Sequence, residues 1–392
     1  MTPAWSGGQY SLYRAVFGAC LLAHFIRLLP FGLEILSVTD SPSHAIFPNL
    51  PSVWNSPAAV LALLVIGVAG SLALLFGRRD RIAAVALSGV WLGLFARNPR
   101  LTDLGWVFVG CLLVIHVFLP SQPFGSWDAR GRLDPDSGWR MPSALYTAAW
   151  IVMALGYFYL GATKLANPAW IDGSTLVGWS LVASELLFAP LALFARIRPW
   201  LWLVLLSIHL GVALIVGSSD LSAGLILIHF FTFDPDWIAP RLPKWQQRQE
   251  GLDGHTLVFY DGACGLCHRT IRFLLAEDAI GLRFRFACLD SEAFRDACAE
   301  DESGFETGEP IPDSLLVHRP GEAMLTRADG VLEIGHQLGG LWRLLAVVAG
   351  WVPRAISNAG YDFVARIRHR LFARPDDACP LLTAELRDRF RF

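Results

Sequence analysis

The stretch "LVFYDGACGLCHRT", Leu257–Thr270, decides how this chain is read. The apolar run "HTLVFY" ends at Asp261-Gly262, and two cysteines follow, two residues apart. After them "RTIRFLLAED" places its apolar residues at helical spacing. The pattern is a buried strand, a turn carrying Cys264-x-x-Cys267, then a helix. Thiol–disulfide chemistry asks for that junction. The attacking species is the thiolate, and a sulfur at a helix N-terminus has its anion stabilised by free backbone N–H groups and the positive end of the helix dipole. Cys264 is expected to be the exposed nucleophile and Cys267, one turn on, the resolving thiol. Asp261, three residues before Cys264, is expected to cap the turn or to relay protons to the dithiol.

Zinc is the competing reading. A structural zinc site takes four ligands, usually from two such pairs. Here there is one C-x-x-C, while Cys288, Cys298, Cys379 and His268 are scattered, so no metal site is read. The remainder extends the strand–helix opening into an α/β, thioredoxin-like domain: "LRFRFACLD" as a second strand, "PDSLLVHRP" as a third, "GEAMLTRAD" as a fourth strand or hairpin arm, and helices over 331–349 and 354–372. By analogy with that fold, Pro312 is the candidate cis-proline facing the dithiol. Tyr260, next to the turn, joins Pro312 as a candidate substrate-binding residue.

Upstream the chain changes character. Residues 1–240 carry 25 charged side chains and residues 241–392 carry 41, in a chain that is 54% hydrophobic with a mean hydropathy of +0.45. That is too apolar for an ordinary soluble enzyme, and a net charge of -2 points to no nucleic-acid partner. A bilayer takes roughly 20 apolar helical residues to cross. About eight stretches qualify or nearly qualify: 11–29, 57–76, 82–96, 103–119, 144–163, 175–195, 199–217 and 221–237. With the N-terminus inside, the inner loops hold Arg78, Arg79, Arg81, Arg130, Arg132, Arg140, Arg196 and Arg198, against Arg97, Arg100 and Lys164 outside. That bias places both termini, and the dithiol, in the cytoplasm at a bacterial-type inner membrane. No cleavable signal peptide is expected at the N-terminus. Trp54, Trp106, Trp170, Trp200 and Trp237 read as interfacial anchors, and the Pro- and Ser-rich segment from Pro30 to Pro57 as a long outer loop. The fold class expected is a polytopic α-helical membrane bundle of about eight spans (1–240), a linker (241–254), and a thioredoxin-like α/β domain with C-terminal helices (255–392).

Within the membrane part, "GYFYLGATKLANPAWIDG", Gly156–Gly173, ends an apolar helix on Lys164. A cation there either snorkels to the headgroups or has a function. The chain uses Arg 30 times and Lys twice, and a lysine can give up its proton and act as a base where arginine cannot. Glu185, near mid-span, reads as a proton carrier or as the ion-pair partner of Arg14 or Lys164. His24, His116, His209 and His229 read as hydrogen-bonded within the bundle. The segment resembles the HTTM (horizontally transferred transmembrane) domain family, which includes vitamin K-dependent gamma-carboxylase. Gly161, Lys164, Leu165, Trp170 and Gly173 fit its pattern, and "SLYRAVFG", "SELLFAPLALF" and "HFFTFDPDW" extend the likeness over most of residues 10–238. The resemblance implies that Lys164 is a base facing a quinol-like ligand, which makes a quinone the implied cofactor, with Trp170 and Glu185 as candidate residues to hold it. Peptide carboxylation is not expected, because the carboxylase's large lumenal domain has no counterpart here.

The dithiol domain resembles the DCC family of thiol-disulfide oxidoreductases. Asp261-x-x-Cys264-x-x-Cys267 is that family's signature, and Tyr361, Ala365, Arg366, Arg368 and Arg370 follow its C-terminal pattern. Ile367 and His369 replace the usual Asn and Tyr, and Ala328-Asp329-Gly330 replaces Ser-Asp-Ala. The arginine-rich helix reads as a solvated face, or as a basic surface against anionic lipid headgroups. Three functions stay open on the sequence. One is a membrane-bound oxidoreductase exchanging electrons with a soluble thiol reductant or client disulfide and with a membrane quinone. Another is an HTTM-type membrane enzyme with a regulatory dithiol domain. The third is a non-enzymatic receptor or assembly factor.

Overall fold

The computed structural model describes residues 5–37, 56–97, 104–168, 170, 176–215, 220–240, 255–300, 315–319, 321–372 and 383–391. Among the described residues, eight long α-helices come first: α1 (Gly7–Ser37), α2 (Pro57–Phe76), α3 (Asp80–Arg97), α4 (Leu104–Phe118), α5 (Ser143–Leu165), α6 (Leu176–Leu191), α7 (Arg198–Ile215) and α8 (Asp220–Thr232). Their outward faces are apolar. On α7, Leu205 is buried, whereas Leu214 and Ile215 are 85% and 86% exposed, a surface suited to lipid and not to water. Close helix contact comes from small residues: a Cβ on Gly224 would lie 2.5 Å from the carbonyl oxygen of Gly105, so α8 and α4 meet backbone to backbone.

Four of these helices, α1 over Gly7–Leu36, α2, α5 and α7, are long and apolar enough to cross a membrane. Four of the eight expected spans are therefore supported among the described residues. α4 has 15 residues, and at 1.5 Å per residue it reaches about 22 Å against a hydrocarbon core of about 30 Å. The apolar parts of α6 and α8 are shorter than 18 residues as well, and α3 opens on Asp80-Arg81 and closes on Arg97. α1 exceeds its expected 11–29 bounds and continues through Pro30 to Ser37, so the loop expected from Pro30 starts later. The rest of that loop, Trp54, the linker, Pro312 and Cys379 lie outside the described residues. Trp106 is not an interfacial anchor: it is buried against Trp91 and His24, at ring-centroid distances of 4.5 and 4.8 Å. Trp200 is exposed.

Several polar side chains of the bundle are hydrogen-bonded within it. Tyr10 Oη lies 2.7 Å from His116 Nδ1, and His229 Nδ1 donates to the Leu225 carbonyl at 2.8 Å. Arg14 donates to the carbonyls of Leu74 and Leu75. The segments read as inner loops gather at one end. Arg79 N–H donates to Asp128 Oδ2 at 2.6 Å, Tyr10 stacks on Trp139 at 4.9 Å, and the Trp5 indole donates to the Phe233 carbonyl at 2.8 Å.

The second unit is a small mixed α/β domain. Its elements are β1 (Thr256–Tyr260), α9 (Gly265–Glu277), β2 (Phe284–Cys288), α10 (Glu292–Glu300), β3 (Leu316–His318), β4 (Leu325–Thr326), α11 (Arg327–Leu338), α12 (Gly340–Ala349), α13 (Arg354–Leu371), α14 (Ala384–Arg387) and β5 (Phe390–Arg391). The sheet order is β4-β3-β1-β2-β5. β1 runs parallel to β2 and β2 to β5, while β3 is antiparallel to both β1 and β4. Strand alternation sorts the core in two. Val258, Tyr260, Phe284 and Phe286 pack with Ile271 and Leu274 of α9 and Ile334 of α11, whereas Phe259, Ala287 and Leu316 pack with Phe294 of α10. Three strands and the helix after the dithiol fall where the sequence puts them. The helix expected over 331–349 instead starts at Arg327 and breaks at Gly339-Gly340, both at positive φ (77° and 52°). Side chains there would collide with Pro240, Pro235 and Gln9, so the break is where the domain meets the bundle.

α9 reaches that junction too. Its last residue, Glu277, accepts hydrogen bonds from Ser6 Oγ (2.6 Å), from the backbone N–H of Gly8 (3.0 Å) in the first turn of α1, and from the Trp342 indole of α12. A carboxylate at the N-terminus of a long helix also meets the positive end of its dipole. Around it, Gly340 N–H donates to the Ile238 carbonyl (2.8 Å), Leu341 N–H to Gln9 Oε1 (3.2 Å), Arg272 to the Arg132 carbonyl, and Phe273 packs on Phe124. Glu277→Leu leaves three donors without an acceptor, at a cost of about 1–3 kcal/mol for each donor left buried. Hydrogen exchange by mass spectrometry is expected to speed up at least roughly tenfold in the first turn of α1 and in α12. Unchanged exchange would show that Glu277 does not hold the two units together.

Candidate functional site

Cys264 is the residue at which β1's chain turns into α9. Its backbone is extended (φ −103°, ψ 116°), and its sulfur accepts the backbone N–H of Cys267 at 3.4 Å, so the sulfur caps the helix. The turn before it is held by Asp261, whose Oδ1 accepts the Ala263 N–H (2.8 Å) and whose carbonyl accepts the Cys264 N–H (3.1 Å). Asp261 therefore caps the turn as expected. His268 Nε2 donates to the Gly262 carbonyl at 2.9 Å and closes the loop from the helix side. Both sulfurs are unbonded thiols in this structure.

The electrostatics separate the two cysteines. The Cys267 thiol, hydrogen-bonding to the Cys264 sulfur, is the largest influence and pulls the Cys264 thiol down from 9.0 to about 6, while burial works against it. The Cys267 N–H, the Arg368 guanidinium and the Leu266 N–H add to the lowering. Cys267 moves the opposite way, pushed up by its bond to the Cys264 sulfur, by burial and by the charge of its neighbour. This matches a nucleophile paired with a protonated resolving thiol. Cys264, expected to be exposed, is buried at 1% exposure, because it packs into the core with Val258, Tyr260 and Ile271.

Arg368 is the residue the sequence reading placed wrongly. It is 3% exposed, and its Nη2 lies 3.4 Å from Asp261 Oδ2, so it belongs to the dithiol site and not to a solvated face. The spacing carried that signal. Arg366, Arg368 and Arg370 step by two, and at about 100° per residue the middle one points away from its neighbours. Tyr361 lies on the same inward side, its Oη accepting the Leu315 N–H at 2.7 Å. Together α9, α11 and α13 enclose a cleft of about 410 Å³ whose walls include Cys267, Thr270, Leu332, Tyr361, Ala365 and Arg368. Tyr260, expected to bind substrate, sits in the core behind the loop, edge-on to His268.

The other expected site lies elsewhere. Lys164 pairs with Glu185 across α5 and α6, which settles Glu185's partner in favour of Lys164 over Arg14, and the Trp170 ring lies 5.4 Å from its Nζ. Lys164 is near the end of α5 remote from Ser143, about 30 Å along the helix from the end on which the α/β domain docks. The structure thus does not bring Lys164 and the dithiol together.

A capped, acidified thiol with a protonated partner one turn on is the arrangement that dithiol exchange requires. Comparison with known proteins agrees: residues 258–374 match the family model for DCC1-like thiol-disulfide oxidoreductases. The chain is also similar to the uncharacterized protein YuxK of Bacillus subtilis (strain 168), with 27% identity over 134 residues, covering 34% of this chain and 92% of the relative. No solved structure matches.

Two outcomes follow from this geometry. Alkylation of the reduced protein at Cys264 is expected to rise with pH about a midpoint near 6, and in Arg368→Gln the midpoint moves upward; a wild-type midpoint near 9 would refute the assigned thiolate. In the bundle, Lys164→Met strands a buried carboxylate and is expected to cost about 3–5 kcal/mol in detergent unfolding, much of it recovered in Lys164→Met/Glu185→Gln. No recovery in the double variant would show that the pair is not the reason Lys164 is there.

Proposed function

We propose that this protein is a membrane-bound thiol-disulfide oxidoreductase whose Cys264–Cys267 pair, in a thioredoxin-like domain, passes two electrons between thiol partners. The observation that carries the reading is the capping of α9 by an acidified Cys264 sulfur, with the Cys267 thiol donating to it. The strand order β2-β1-β3-β4, with the dithiol after β1, supports the thioredoxin-like assignment.

The Cys264 thiolate attacks one sulfur of a partner disulfide. A mixed disulfide forms and the partner's other sulfur leaves as a thiolate. Cys267 then loses its proton and attacks the Cys264 sulfur, which closes the Cys264–Cys267 disulfide and releases the second partner sulfur. Asp261 lies beside this path as a proton acceptor, and Arg368 holds its carboxylate in place. A soluble thiol reductant resets the pair by the reverse exchange. A stabilised Cys264 thiolate favours the dithiol form, so the pair is more oxidising than one with ordinary thiols. The cleft beside Cys267 is the candidate seat for the apolar side of the partner.

The reading places the domain in the cytoplasm, as the basic residues at the bundle end that carries it support. A second reading, an HTTM-type membrane enzyme in which Lys164 acts as a base on a quinol or lipid substrate, is supported by the pairing of Lys164 with the buried Glu185 beside Trp170. In it Glu185 takes the proton from Lys164 and the dithiol is regulatory.

Turnover of hydroxyethyl disulfide by the full chain in nanodiscs tests the first reading. Cys264→Ser and Cys267→Ser are each expected to lose roughly a hundredfold or more, and Cys267→Ser alone to retain a covalent partner adduct. Turnover that survives both substitutions would overturn it.

A further inference from the structure

The hairpin α12–α13 carries an apolar surface that neither the core nor the dithiol uses. Leu345, Val348, Trp351, Val352, Ile356 and Phe363 are exposed at 43, 48, 79, 42, 63 and 55%. They follow one another from the second turn of α12, through the Gly350–Pro353 connection, to the middle of α13, with the exposed Arg354 among them. Soluble surfaces rarely keep a contiguous apolar patch beyond a few hundred Å². The patch has a fixed relation to the bundle. α12 starts on the bundle's end, where Gly340 N–H donates to the Ile238 carbonyl, Arg343 to the Ala239 carbonyl, and Leu341 N–H to Gln9. The apolar run is thus continuous with the interface between the α/β domain and helices long and apolar enough to cross a membrane. Exposed arginines accompany it: Arg354, between Val352 and Ile356 and paired with Asp329 at 3.2 Å, and Arg366 and Arg370 on the outward side of α13 with Phe363. An apolar stripe with a large tryptophan at its tip and arginines beside it is the composition of an element lying in the headgroup region, its apolar side in the acyl boundary and its cations on anionic headgroups.

We propose that the α12–α13 hairpin is a lipid-facing surface on which the dithiol domain rests against the same bilayer that holds the bundle. The occupant is phospholipid. This goes beyond the redox reading and does not depend on it, since the surface is made of residues other than the dithiol. One consequence bears on the redox site. Ala349, Gly360 and Val364 of this hairpin are also part of the cleft wall, so the cleft beside Cys267 stands next to lipid.

Photo-crosslinking in the full chain tests this. Trp351→p-benzoylphenylalanine and Ile356→p-benzoylphenylalanine are irradiated in nanodiscs of phosphatidylcholine and phosphatidylglycerol, with Arg295→p-benzoylphenylalanine on α10, across the sheet, as reference. All three positions are exposed, so each variant is expected to fold. Phospholipid adducts at 351 and 356 are expected to exceed those at 295 roughly tenfold. Adduct levels equal to those at 295 would overturn the proposal. So would crosslinks from 351 or 356 to a second copy of the chain, which would make the face a protein interface.

Discussion

The Glu277 carboxylate is the constraint on which the arrangement turns. It ends α9, and the same helix begins on the dithiol, so one rigid element of 13 residues, about 20 Å, separates the two sulfurs from the helical bundle. By accepting from Ser6, Gly8 and Trp342 it joins three elements at once: the entry to α1, the end of α9 and the start of α12. A charge removed from water is costly unless hydrogen bonds compensate it, and here three donors and a helix N-terminus offset part of that cost, while burial still holds the Glu277 carboxyl above its ordinary value. The position of the dithiol, the break between α11 and α12 and the placement of the apolar hairpin all follow from that docking.

The dithiol obeys the same logic of local compensation. A buried thiolate would be unfavourable alone. The Cys267 thiol and N–H, the N-terminus of α9 and the Arg368 guanidinium supply what the missing water would. Arg368 is paired in turn with Asp261, and Asp261 also shapes the turn that presents Cys264. The site is thus an interlocked set drawn from β1's end, α9 and α13, which accounts for the family match extending from residue 258 to residue 374 and not stopping at the C-x-x-C turn.

Much of this was legible in the sequence, and the failures have physical reasons. The strand–turn–helix around Cys264 was readable because two periodicities meet at a C-x-x-C. α10 was missed although Ser291 caps it, with the Phe294 N–H accepted at Ser291 Oγ and Ala297 one turn on, because its nine residues are few and its apolar ones, Phe294 apart, are small. β5 was missed because two residues carry no period. It is fixed by Arg389, paired with Asp278 at 2.8 Å, a contact between positions far apart in the chain. Span number was the least legible feature, since apolar composition does not distinguish a helix that crosses a bilayer from a shorter one packed within the bundle. Arg368 was misplaced because a run of arginines suggests a wet face, while a spacing of two on a helix forbids a single face.

The central claim is that the redox domain is seated on the bundle and not merely tethered to it. A double electron–electron resonance measurement tests it most directly, with nitroxides at exposed positions 133 and 295, one in the loop at the bundle's docking end and one on α10, in the full chain in nanodiscs. The account predicts one narrow distance distribution that is unchanged between the dithiol and disulfide states. A broad distribution spanning tens of ångströms, as for a domain on a free linker, would contradict it.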